Sequence, residues 1–162
     1  MAVLPVDRLE VVWPIIEAVA REGATYPLPR DLSLEEARTL WSERGRTTFV
    51  AIREGAVCGT YYLRPNAEGP ASHVANAGYM VAPDARGGGI AHTLFRHSIG
   101  EAGARGFKAL QFNLVVSTNE AAIHLWTSLG MRIVGTLPKV FDHPQRGLVD
   151  AYVMHSFIGD LR

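Results

Sequence analysis

Three consecutive glycines, Gly87-Gly88-Gly89, separate a segment that alternates like a strand from one that is spaced like a helix. His73 to Val81 reads as the strand, stopped at Pro83, and Ile90 to Ala104 as the helix, with Ile90, Leu94, Phe95 and Ile99 along one face. Strand, glycine loop and helix in that order point to a mixed α/β chain. They also point to chemistry. Glycines let a backbone come close to a ligand, and a helix starting at Gly89 or Ile90 aims unpaired amides and the positive end of its dipole at an anion. The stretch therefore predicts a phosphate site. A Walker loop needs Gly-Lys-Ser/Thr where this chain has Gly89-Ile90-Ala91, and the dinucleotide fingerprint needs a glycine where it has His92. Neither fits.

The remaining elements follow from spacing and punctuation. Val11 to Arg21 reads as a helix with Pro14 in its first turn and its end before Gly23. Ser33-Leu34-Glu35-Glu36 is a capping box that starts a second helix running to about Glu43. Thr47 to Arg53 and Val57 to Arg64 are strands joined by a hairpin at Glu54-Gly55-Ala56. After the glycine loop and its helix come a strand over Ala109 to Val116 and a helix over Asn119 to Leu129, closed by Gly130. Met131 to Leu137 and Asp150 to Phe157 read as two last strands, with a long polar loop, PKVFDHPQRGL, between them. The order predicts an α/β fold of the α+β type: a mixed, mostly antiparallel sheet flanked by helices. No repeat or linker divides it, so residues 1–162 are expected to form a single domain.

Composition narrows the function. With 48% hydrophobic residues the chain can bury a real core, which excludes disorder as its main state. Sixteen basic residues balance sixteen acidic ones, so no bulk field is available to hold a nucleic acid. Cys58 stands alone, cannot close an intramolecular disulfide, and reads as a small core residue. Six histidines show no metal-binding spacing, so no metal is expected. With no signal peptide and no apolar run near the ~20 residues that span a bilayer, a cytoplasmic protein without a membrane partner is expected.

What the glycine loop does match is Arg86-x-x-Gly89-x-Ala91, which resembles the pyrophosphate loop of the Gcn5-related N-acetyltransferases (the GNAT superfamily). Ser117-Thr118-Asn119-Glu120-Ala121-Ala122, running on to Leu129-Gly130-Met131, is similar to the strand-helix-strand unit that follows in that family. The resemblance covers roughly Thr47 to Phe157. It implies a GNAT fold with a splayed central strand pair, acetyl-CoA as cosubstrate and direct attack by an amine in a ternary complex. Backbone amides near Met80 and Val81 would polarise the thioester carbonyl, and Arg86, Gly87, Gly88, Gly89, Ile90 and Ala91 would hold the pyrophosphate. Asn119 would reach the pantetheine arm, cap its helix, or do both. Many relatives carry a tyrosine seven residues after this asparagine as the acid for the departing thiolate. Here that residue is Trp126, whose indole cannot serve as an acid near neutral pH, so a core aromatic is expected and no protein acid is assigned.

Two asparagines lie inside strands built for burial, Asn76 and Asn113. Asparagine is depleted in strands and a buried amide must find partners. Either both satisfy backbone or water at the splay, or their carbonyls accept from the incoming amine. The stretches around them, with Thr25-Tyr26-Pro27, resemble the fungal proline-analogue acetyltransferases that detoxify azetidine-2-carboxylate, in which two strand asparagines engage the ring nitrogen. That resemblance implies catalytic and substrate-binding roles for Asn76 and Asn113 on a small amine. The family's topology would also bring Tyr26, Phe141, Asp142 and His143 to the acceptor mouth, with Asp142, His143 or water as the base. Another amino acid, a polyamine, an antibiotic or a protein amine as acceptor, a non-catalytic acetyl-CoA sensor, and a homodimer all stay open.

Overall fold

Glu54 and Gly55 both take left-handed backbone conformations, with φ of 53° and 82°. This is the two-residue turn whose twist matches that of paired strands, and it joins β2 (Thr47–Arg53) to β3 (Ala56–Pro65). The computed structural model describes residues 1–42 and 45–161. Its sheet has seven strands in the order β1-β2-β3-β4-β5-β7-β6, with β1 over Ala2–Val6, β4 over Val74–Val81, β5 over Ala109–Val116, β6 over Arg132–His143 and β7 over Gly147–Phe157. Every neighbouring pair is antiparallel except β4 and β5.

Four α-helices accompany the sheet: α1 (Trp13–Glu22), α2 (Leu34–Ser42), α3 (Ile90–Ala104) and α4 (Glu120–Ser128). Their ends follow the local chemistry. Pro14 opens α1 and Gly23, at φ 61°, closes it. Before α2 the Glu36 amide donates to Ser33 Oγ at 3.3 Å and the Ser33 amide to Glu36 Oε2 at 2.8 Å, the expected capping box. The expected end of that helix at Glu43 lies outside the described residues. Asn119 caps α4 by accepting from the Ala122 amide at 3.2 Å. The crossover helix α3 packs on β3 and β4, close enough that a Cβ on Gly59 would stand 2.7 Å from Ile90 Cγ2. Tyr79, Phe95, Phe112 and Trp126 meet beneath it with ring centroids 5.0–6.4 Å apart, one aromatic cluster within the core.

Two parts of the fold depart from the sequence reading. Ala2–Val6 is a strand, paired with β2 from Ala2↔Ile52 to Val6↔Thr48; as the sheet edge it tolerates Pro5. The expected long loop between the last strands is instead a hairpin, whose arms meet at His143↔Gly147. Its polar residues are solvent-facing positions of paired strands, with Phe141 and His143 buried between them. A bulge at Lys139 (φ 49°), whose amide donates to Asp150 Oδ1 at 2.8 Å, carries the strand past Pro138.

Candidate active site

The parallel ladder of β4 and β5 has only three pairs, Val74↔Ala109, Ala75↔Leu110 and Asn76↔Gln111. Beyond Asn76 the strands part. On its other side β4 stays paired with β3 up to Gly59↔Val81, and the pattern of that ladder says which amides face the gap. Asn66 donates to the Val74 carbonyl at 2.8 Å and Ala82 to the Cys58 carbonyl at 3.0 Å. In an antiparallel pair such bonded positions alternate, so Asn76, Gly78 and Met80 turn their amides to β3. Tyr79 and Val81 turn theirs to the gap. The Val81 amide therefore faces the gap, whereas the Met80 amide is committed to Thr60 of β3, and the other amide on that side, that of Tyr79, meets the Tyr26 hydroxyl.

The gap opens at the C-terminal end of β4 toward the glycine loop. A one-turn 3-10 helix, Pro83–Ala85, leads into Arg86–Gly89. Gly87 and Gly89 have φ of 78° and 75°, and a Cβ on either would meet nothing within 4 Å. They are required by conformation, not by crowding. The first intrahelical bond joins the Thr93 amide to the Gly89 carbonyl, which leaves the amides of Ile90, Ala91 and His92 for an anion. The loop thus fits a diphosphate. Its arginine is engaged elsewhere: Arg86 donates to both carboxylate oxygens of Glu22, at 3.1 and 2.6 Å. Hydrogen bonding within that pair holds Glu22 below its ordinary pKa and Arg86 above its own. The guanidinium beside the loop is that of Arg53, whose Nη1 would lie 2.9 Å from a Cβ on Gly88. The sequence contains no local signal for Arg53, because only the β2–β3 hairpin brings it to a loop more than thirty residues away.

A cleft of about 470 Å³ continues the gap on the other side, lined by Tyr26, Arg46, Tyr62, Arg64, Asn76, Gly78, Tyr79, Met80, Phe112, Asn113, Val115, Asn119 and Trp126 among others. Asn76 is 3% exposed. Its carbonyl oxygen accepts from the Tyr62 hydroxyl at 3.3 Å and from Arg64 Nε at 3.2 Å, and its amide donates to the Gln111 carbonyl at 3.0 Å. Both acceptor positions of that oxygen are taken by the protein. Asn113 differs. It is exposed, sits where a register shift separates β5 from β7, accepts one bond from Gln111 Nε2 at 2.9 Å and donates to Asn66 Oδ1 at 2.8 Å. One acceptor position on its carbonyl is left.

Tyr26 reaches over β4 so closely that a Cβ on Gly78 would fall 2.5 Å from its hydroxyl oxygen. Burial pushes its phenol well above the ordinary tyrosine range, the backbone amide of Tyr79 opposing. Burial also raises Tyr79, whose hydroxyl is 2.6 Å from Ser98 Oγ. Trp126 is 7% exposed within the aromatic cluster, a core residue at the cleft wall. Phe141, Asp142 and His143 do not line the cleft. With the last loop folded as a hairpin, His143 turns into its own end, where Nδ1 accepts from the Gln145 amide at 3.2 Å. Cys58 is buried and its thiol faces the Ala51 carbonyl at 3.2 Å, an inert core position. No group of three or more His, Cys, Asp or Glu placed to hold a metal occurs among the described residues. None of the described helices is long and apolar enough to cross a membrane.

Comparison with known proteins agrees with this geometry. The Acetyltransferase (GNAT) family matches residues 13–131. N-acetyltransferase aca1 of Schizosaccharomyces pombe is 36% identical over 150 residues, 81% of this chain and 71% of that protein. A GCN5-related N-acetyltransferase from Kribbella flavida superposes with a TM-score of 0.89 at 40% identity, over 96% of each chain. The ribosomal-protein-alanine N-acetyltransferase of Brucella melitensis superposes at 0.84 with 26% identity, over 97% of this chain and 99% of its own. The chain belongs to the GNAT family and is an acetyl-CoA-dependent N-acetyltransferase.

Proposed function

We propose that the chain acetylates the nitrogen of a small amine, a proline analogue or another amino acid, held in the cleft while acetyl-CoA occupies the β4–β5 gap. The observation that carries this reading is continuity: Tyr79 and Met80 of β4 and Val115 and Val116 of β5 border the gap and also line the cleft. A nitrogen in the cleft can thus meet a carbonyl in the gap without either partner leaving its site. The glycine loop with the amides of Ile90, Ala91 and His92 holds the diphosphate, with Arg53 supplying charge, and Asn119 faces the pantetheine arm while it caps α4.

The reaction asks three things of the protein. The nitrogen must be oriented, and the spare acceptor position on Asn113 can take one of its N–H bonds without removing the proton. Asn76 has another task, holding Tyr62 and Arg64 in place. The carbonyl must be polarised as it gains negative charge, and an amide such as that of Val81 is worth ~3 kcal/mol there. Finally the N–C bond forms, the C–S bond breaks, and one proton passes from nitrogen to solvent while the thiolate takes one back. A thiol of pKa ~8.5 leaves without an acid. No Asp, Glu or His is among the described residues lining the cleft, and the raised phenols of Tyr26 and Tyr79 stay protonated, so water is the base. We place this activity in one domain over residues 1–162, in a reducing compartment such as the cytoplasm that suits a lone buried thiol.

Release of free thiol from acetyl-CoA, measured against azetidine-2-carboxylate, proline, cis-4-hydroxyproline and primary amino acids, tests the proposal. Turnover of at least one is expected. Binding of acetyl-CoA without turnover of any amine would make the chain a sensor.

A further inference from the structure

Two contacts reach from the end of α1 to groups that the cofactor site needs. Glu22 is the last residue of α1, Gly23 caps the helix at φ 61°, and Tyr26 follows three residues on. Before Gly23, the Glu22 carboxylate accepts from Arg86 at 3.1 and 2.6 Å, one oxygen on each terminal nitrogen. The planar fork of arginine grips a carboxylate and a phosphate in the same way, so Glu22 fills the donors that the first residue of the glycine loop would turn to a diphosphate. After Gly23, Tyr26 lies over β4, where a Cβ on Gly78 would fall 2.5 Å from its hydroxyl oxygen, and the hydroxyl meets the Tyr79 amide that faces the gap. Tyr79 is held from the other side: its own hydroxyl is 2.6 Å from Ser98 Oγ, which donates to the Phe95 carbonyl at 2.7 Å.

Neither contact is strong. Both members of the Glu22–Arg86 pair are more than a third exposed, where an ion pair adds little stability, and a hydroxyl–amide bond is exchanged at small cost for one to another acceptor. A diphosphate and a thioester carbonyl are acceptors for the same two donors. We propose that Glu22 and Tyr26 form an internal strap that occupies donors of the cofactor site in the free protein and is displaced from both as acetyl-CoA enters. This rests on the proposed place of acetyl-CoA in the β4–β5 gap and adds a cost to its binding, because a ligand that needs the strap open binds more weakly in proportion to the fraction of molecules in which it is open. Tyr26 also lines the acceptor cleft, so its release changes the cleft wall and couples the two sites.

Calorimetric titration with acetyl-CoA and with free CoA tests this, because both carry the diphosphate and only one carries a thioester carbonyl. Glu22→Ala is expected to raise the affinity for both about twofold to fivefold, the range for releasing an exposed ion pair. Tyr26→Phe keeps the ring, and it is expected to raise the affinity for acetyl-CoA about twofold to tenfold with that for CoA unchanged. Arg86→Ala should weaken binding of either ligand more in the Glu22→Ala background than in the unmodified protein. Unchanged or lower affinity in folded Glu22→Ala overturns the strap while leaving the loop as the cofactor site. Equal weakening by Arg86→Ala in the two backgrounds overturns the exchange of Arg86 between Glu22 and the diphosphate. No gain in Tyr26→Phe, or an equal gain for both ligands, overturns the part given to Tyr26. Failure of the unmodified protein and of every variant to bind acetyl-CoA overturns the proposed cofactor site and the strap with it.

Discussion

The two ends of the site are built from different materials. At the proposed cofactor end the groups are mostly backbone: the Val81 amide, turned to the gap where β4 leaves β5, and amides of the glycine loop and the first turn of α3, with Arg53 and Asn119 as side chains beside them. At the acceptor end they are side chains from four separate segments: Tyr26, Tyr62 and Arg64, Asn76, and Asn113. A backbone site depends on conformation and tolerates change in side chains. A side-chain cleft can be re-lined without disturbing the strands that carry it. Such a division lets one fold keep a single donor and accept many amines.

If that contrast holds, the largest effects come from breaking conformation at the cofactor end. Gly89→Val places a β-branched residue at φ 75°, at a cost of ~1–3 kcal/mol, and so shifts the loop whose amides face the anion. Affinity for acetyl-CoA should fall by about a hundredfold or more in calorimetry; unaltered affinity would remove the loop from the cofactor site. Next comes the acceptor end. Asn113→Leu should lose ~1–3 kcal/mol in kcat/KM for the best amine with acetyl-CoA affinity retained. Asn76→Leu strips the donors of Tyr62 and Arg64 and the Gln111 carbonyl of a partner, so it should lower the melting temperature as well as turnover. Equal behaviour of the two variants would contradict their separate roles.

Arg53→Ala should weaken acetyl-CoA binding about tenfold, more than Arg86→Ala, because the Arg86 side chain is held by Glu22. That pair is more than a third exposed on both sides, so its loss should change stability by only ~0–1 kcal/mol. Thermal melts and titrations on the two variants would separate the terms. The smallest effect is expected for Trp126→Phe, where turnover should fall only through packing; complete loss in a folded variant that still binds acetyl-CoA would make the indole a participant.

The same contrast explains what was legible in the sequence. Gly87, Gly89 and the cap at Asn119 announce themselves, because a left-handed φ and a helix start select particular residues locally. The partial β4–β5 pairing came only through family resemblance, and the alternation that turns the amides of Tyr79 and Val81 to the gap, and that of Met80 to β3, required the observed register. Asn76 and Asn113 stood out as polar residues in apolar strands, yet their unequal remaining capacity depends on Tyr62, Arg64, Gln111 and Asn66, which no local pattern joins to them. Arg53 and Arg64 end two strands in the sequence, and no local pattern ties either to the site. His143 was misplaced because the polar residues before Gly147 read as a loop, whereas an edge hairpin accommodates them on its solvent side.

In the proposed reaction both ends are filled at once and the amine attacks directly. Initial velocities measured with acetyl-CoA and the best amine varied together decide whether this is so. Intersecting double-reciprocal lines, with no acetylated protein in mass spectra after incubation with acetyl-CoA alone, are the predicted result. Parallel lines together with a stoichiometric acetyl-enzyme would contradict it.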